Sequence, residues 1–322
     1  MVYQNRNNEK KFMAQKLLHN ISKSKHKEKG GLRMLYYNPK SIEETLKLLN
    51  SFEKEDTVIL AGGTDVVPKL NSRPEKSGYF NVPIMDLEKK KIIYLGNIDL
   101  KYIKEEDDSI VIGAMTTMTE ILDSNIIDKL PVLKEALNVM AGVTIRNVAT
   151  IGGNIMNASP AADSIPPLIA LGAKAVLIGT DGERTENVED LFEGPGKIRN
   201  GGKELLKEIV VPVKKGKASF IKFGRRKAES LSIVNGAAYA EIENTVCKEA
   251  VIVLGAVAPV PLRVSEAEEI IIGKKLTDEL IEKAAEKAAE KVSPIDDKRA
   301  SGDYRRKLVR TLVKRTLNNV GK

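Results

Sequence analysis

The sequence has 322 residues, 42% hydrophobic and 30% charged, with a formal net charge of +8, one cysteine and two histidines. That length is enough for two domains, while the lone Cys247 excludes a disulfide framework and any four-thiolate iron–sulfur or zinc site. Both histidines, His19 and His26, stand near the N-terminus, so a Ser-His-Asp triad and a His-based metal site are excluded from the rest.

The charge is concentrated in one place. Residues 1–33 hold nine Lys/Arg against two Asp/Glu, which is seven of the eight net positive charges. The remainder is nearly neutral and poor in aromatics, so no nucleic-acid partner is expected. Residues 1–32 read as a solvated basic tail with helical spacing near Phe12–Leu18; contact with RNA or an acidic partner is the alternative. No window approaches the roughly 20 apolar residues of a membrane span, and the N-terminus lacks a secretory core. The expectation is a cytoplasmic protein.

From residue 33 the pattern alternates. Ser41 followed by Glu44 reads as a capping box, opening a helix with Ile42, Leu46 and Leu49 on one stripe. Val58–Ala61 reads as a short buried strand running into Gly62-Gly63. Ala61-Gly-Gly-Thr-Asp65 is placed where a phosphate-binding turn belongs, because backbone without Cβ atoms can close on an anion. A plain tight turn, with Thr64 and Asp65 capping the next element, fits equally well. The turn is neither a Rossmann G-x-G-x-x-G nor a Walker A loop.

Ile110–Ile112 reads as a strand and Leu130–Ala141 as a helix. Thr150-Ile-Gly-Gly-Asn154 supplies a second Gly-Gly turn, with Thr150 and Asn154 as side-chain hydrogen-bonding groups. Asp163 follows, able to cap a helix over Ile165–Leu171. Ala173–Ile178 and Ile209–Val213 read as strands. The polar joint Val213-Lys-Lys-Gly-Lys217 suggests a boundary, giving domains at 33–214 and 216–320. In the second, strands are expected at Ser219–Phe223, Ala237–Ile242 and Val251–Leu254. Two helices follow. Thr277 caps the first, which carries Ile281, Ala284, Ala288 and Val292 on one face and a Glu279–Lys283 pair outside. The second shows Leu308, Leu312 and Val313. The fold class is α+β, with a three-stranded antiparallel sheet and helices at the C-terminus.

Five blocks in order resemble one family: Val58–Asp65, Thr144–Leu171, Phe223–Ala228, Leu254–Arg263 and Ser293–Val309. The family is the FAD-binding, or medium, subunit of the molybdenum hydroxylases. The resemblance implies a two-lobed FAD-binding domain and, as cofactor contacts, Leu60, Ala61, Gly62, Gly63, Thr64, Asp65, Val66 and Val67 in a first loop. It implies Thr150, Ile151, Gly152, Gly153 and Asn154 in a second, with Ala141, Asp163, Leu206 and Lys222 besides. A lysine beside the flavin would raise its potential; a solvated strand lysine is the plain reading of Lys222, as a core leucine is of Leu206. Ser230 stands where relatives usually carry Asp.

The resemblance further implies an electron-transfer oxidoreductase subunit with no catalytic acid, base or metal of its own. Molybdopterin would belong to a large partner subunit and two [2Fe-2S] clusters to a small one, with NAD(P) or another external acceptor taking the electrons. A free-standing FAD-dependent NAD(P)H oxidoreductase and an FAD-free scaffold subunit are the alternatives; the intact Gly pairs speak against the scaffold.

Overall fold

The computed structural model describes residues 35–71, 90–199 and 202–321. The tail and its helical spacing near Phe12–Leu18 lie outside these residues. Among the described residues no helix is long and apolar enough to cross a membrane.

The first lobe comprises β1 (Leu35–Tyr37), α1 (Ile42–Ser51), β2 (Thr57–Leu60), α2 (Val66–Asn71) and β3 (Lys91–Tyr94). Its strands are parallel, in the order β1-β3-β2. Ser41 Oγ accepts the Glu44 N–H at 3.1 Å and starts α1. Only half of the expected capping box forms, because the Glu44 carboxylate accepts the Lys40 N–H at 2.7 Å instead of that of Ser41. The Lys40 donor has no partner in the helix either, so the carboxylate can satisfy it instead. Leu46 and Leu49 pack with Ile93, Leu95 and Leu100 in a small core.

The second lobe holds β4 (Ile103–Glu106), β5 (Ser109–Gly113), α3 (Met118–Leu122), α4 (Pro131–Val139), α5 (Val143–Arg146), α6 (Ile151–Met156) and α7 (Ile165–Ala170). It continues with β6 (Lys174–Gly179), β7 (Gly182–Asn187), the small hairpin β8 (Phe192–Gly194) and β9 (Lys197–Ile198), and β10 (Leu205–Pro212). The five long strands are antiparallel, in the order β4-β5-β10-β6-β7. A complete capping box starts α3, with Thr117 and Glu120 exchanging side-chain-to-backbone bonds.

The C-terminal part comprises β11 (Lys217–Gly224), β12 (Ser232–Glu243), β13 (Val246–Gly255), β14 (Leu262–Arg263), α8 (Ser265–Ile271), α9 (Asp278–Lys291) and α10 (Gly302–Val320). The three expected strands lie side by side, and the two-residue β14 adds a fourth at the edge. Thr277 caps α9 by accepting the Leu280 N–H at 3.3 Å. Ile281, Ala284 and Ala288 face inward, against α10 residues such as Leu312 and Val313.

The core crosses the junction near residue 214. Leu133, Ala136 and Leu137 of α4 and Leu168 of α7 share one cluster with Phe220, Ala237, Tyr239 and Val253 of β11, β12 and β13. The other side of β12 packs on α10, so Ser232–Ala240 is buried on both faces.

Candidate functional site

At the end of β2 the chain turns through Ala61–Asp65 into α2. Gly63 has φ +74°, where a side chain would be strained. Gly62 is pressed against the chain ahead of α6: a Cβ there would lie 1.9 Å from the Val148 carbonyl oxygen. The N–H groups of Gly62, Gly63, Thr64 and Asp65 donate to no described group. The Asp65 carboxylate pairs with Lys69.

The second Gly-Gly pair is the first turn of α6 and not an open loop. Thr150 is its N-cap, and its Oγ1 accepts the Gly153 N–H at 3.1 Å. The Gly152 N–H donates to the Ala114 carbonyl at 2.9 Å and that of Ile151 to Thr116 at 3.0 Å. A Cβ on Gly152 would stand 2.6 Å from Ala114 Cβ and 2.7 Å from its carbonyl oxygen. The glycine therefore seats α6 against the end of β5. Gly153 looks the other way, where a Cβ would meet Thr150 Oγ1 at 2.8 Å and Ala61 Cβ at 3.5 Å.

Between the lobes lies a cleft of about 660 Å³, a size ordinary for a cofactor site. Ala61, Gly62, Gly63, Thr64, Asp65, Val66, Thr150, Gly152, Gly153, Asn154 and Leu206 line it. Leu60, Val67 and Ile151 support the walls from behind: Leu60 and Val67 lie under Gly63, and Ile151 is fully buried. Sequence reasoning missed the hairpin β8–β9, which contributes Glu193, Gly196, Lys197 and Ile198, and also missed Lys54 on the rim. A single lysine with no periodic neighbour leaves no motif to read.

Ala141, Asp163 and Lys222 lie outside the cleft lining and gather at the junction of the two parts. Lys222 Nζ donates to Asp163 Oδ2 at 2.6 Å and to the Val139 carbonyl at 3.1 Å. Its side chain is 8% exposed, so the solvated-lysine reading does not hold. Ala141 follows α4 with φ +46°, and its carbonyl accepts from Arg146 Nη1 at 3.2 Å. Asp163 is not the cap of α7; that place falls to Ser164, which makes no side-chain cap bond. The Asp163 carboxylate turns instead to Lys222, Ser232 and Asn235, which a buried charge needs more than a helix end does. Ser164 Oγ donates to Asn154 Oδ1 at 2.6 Å and links this cluster to the cleft wall.

The arrangement suits FAD. The turn at residues 62–65 presents N–H groups that donate to no described group and so are available for phosphate, apolar Met115 and Leu206 flank it, and Thr150 and Asn154 offer polar contacts. Among the described residues no group of three His, Cys, Asp or Glu side chains could hold a metal.

A family model described as an FAD binding domain in molybdopterin dehydrogenase matches residues 29–214, and one described as a CO dehydrogenase flavoprotein C-terminal domain matches residues 219–320. The chain is 31% identical to the glyceraldehyde dehydrogenase medium chain of Sulfolobus acidocaldarius, over 88% of this chain and 97% of that one. It is 30% identical to the nicotinate dehydrogenase FAD-subunit of Eubacterium barkeri, over 87% and 93%. Carbon monoxide dehydrogenase from Hydrogenophaga pseudoflava, solved without the Mo-pyranopterin moiety of its cofactor, superposes with a TM-score of 0.82 at 30% identity. That match covers 89% of this chain and 97% of the other.

Proposed function

Because this chain belongs to the FAD-binding subunits of the molybdopterin dehydrogenases, an oxidoreductase family, we propose that it passes electrons from a partner's [2Fe-2S] clusters to an external acceptor such as NAD+. The observation that carries the proposal is the contact of Gly62 with the Val148 carbonyl, which joins both glycine segments into one wall of the cleft. FAD supplies the chemistry, since it takes up electrons singly and releases them as a pair.

The chain's own residues bind and orient. The N–H groups of residues 62–65 would hold the diphosphate, and Thr150 and Asn154 would bond polar atoms of the sugar chain. Leu206 would pack on the ring system, and Asp163 and Lys222, outside the cleft lining but joined to its wall through the Ser164–Asn154 bond, would act on the ring from behind that wall. No side chain acts as acid or base, so the substrate is oxidised on the large molybdopterin subunit. The [2Fe-2S] clusters sit on the small subunit.

Purification from the native host tests this reading. The chain should arrive with two further subunits, one carrying molybdenum and one iron, and FAD should be released on denaturation. Substrate added to that complex should reduce NAD+. Reduction of a quinone or ferredoxin alone would remove NAD+ from the proposal, and a flavin-free complex would remove the relay.

A further inference from the structure

Asp163 precedes the junction, and all three side chains that donate to its carboxylate follow it. Oδ2 accepts from Lys222 Nζ at 2.6 Å. Oδ1 accepts from Ser232 Oγ at 2.5 Å and from Asn235 Nδ2 at 2.7 Å. Ser232 and Asn235 are fully buried, and Asp163 is 5% exposed. A carboxylate this deep needs a cation and hydrogen bonds. The carboxyl torsion of an aspartate is soft, so two donors on one oxygen fix its rotation. Oδ2 is then left aimed at Lys222.

Asn235 is held at some cost. Its Oδ1 has no partner among the described residues. It fits only because residue 255 is glycine, since a Cβ there would lie 2.0 Å from it. Turning the amide over would set its oxygen against Asp163 Oδ1. A buried acceptor left unpaired destabilises the fold, and donation by the amide's other end to Asp163 offsets it. The strand beneath is braced in turn: the Ile233 carbonyl accepts from Arg305, and that of Ser232 from Arg299 Nη1 at 3.4 Å.

We infer that Ser232 and Asn235 are positioning residues for the FAD site: they lock the Asp163 carboxylate in the rotation that engages Lys222, and through that ion pair they set the field at the flavin. The inference rests on the proposed placement of Asp163 and Lys222 at the cofactor.

The test is the flavin midpoint potential of the full-length chain loaded with FAD. Asp163→Asn removes a negative charge and raises the potential; Lys222→Met removes a positive one and lowers it. Ser232→Ala and Asn235→Ala each shift it, by less than Asp163→Asn does, because the carboxylate keeps its charge but no longer its rotation toward Lys222. If Asp163→Asn moves the potential while Ser232→Ala and Asn235→Ala leave it at the wild-type value, the two residues only support the fold and the inference is overturned. If Asn235→Ala yields no folded protein, Ser232→Ala decides alone. If Asp163→Asn and Lys222→Met also leave the potential unchanged, the placement at the cofactor fails and the inference falls with it.

Discussion

Gly62 and Gly152 look interchangeable in the sequence, since each belongs to a Gly-Gly pair after an apolar run. The structure gives them different duties. A Cβ on Gly62 would strike the Val148 and Ala149 backbone and part the two glycine segments, whereas one on Gly152 would strike Ala114 and lift α6 from the end of β5. Gly62→Ala should therefore empty the protein of FAD, read as flavin per chain after gel filtration, and lower the melting temperature of the FAD-free chain. Gly152→Ala should also lower the melting temperature of FAD-free protein. Wild-type melting of either FAD-free variant would refute the packing duty assigned to that glycine. The first loop was legible because a strand followed by a Gly pair has a local cause. The duty of Gly152 depends on Ala114, and that of Asp163 on Lys222, Ser232 and Asn235. Such partners are distant in sequence and leave no spacing to read.

Elements with their own start signals were the legible ones. Ser41 and Thr277 cap α1 and α9, and the stripes behind them are inward-facing as the helical period requires. β12 was read too short because Ser232, Asn235 and Gly236 interrupt its apolar run, and β14 is too brief to show a period. The segment between α9 and α10 holds β12 by charge. Asp297 pairs with Arg299 at 2.6 Å and with the buried Arg305 at 2.7 Å. Burial pushes the Asp297 carboxyl up, but hydrogen bonds from Arg299 and the charge of Arg305 prevail and hold it at about 2, below its ordinary 3.8. A lowered carboxylate value means that this contribution to stability is complete above about pH 4 and lost as pH falls toward 2. The melting temperature of wild type should exceed that of Asp297→Asn by a margin that is constant near neutrality and shrinks below pH 4. A margin independent of pH would show that the pair does not titrate in this way.

At the scale of the molecule, the composition shift near residue 214 marks a joint in the chain, but the packing does not part there. Phe220, Ala237, Tyr239 and Val253 complete the core under α4 and α7. A fragment ending at residue 214 should bind hydrophobic dyes, precipitate and retain no FAD, although it carries the whole cleft lining. A soluble, flavin-loaded fragment with cooperative unfolding would contradict this. The shared core also fixes an order of events during synthesis. Translation delivers the N-terminus first, so Gly62, Thr150 and Asp163 leave the ribosome before Lys222, Ser232 and Asn235 exist. A nascent chain carries the whole cleft lining but neither the strands that cover α4 and α7 nor the donors that hold Asp163. Until its last third arrives, those two helix faces stay open to solvent.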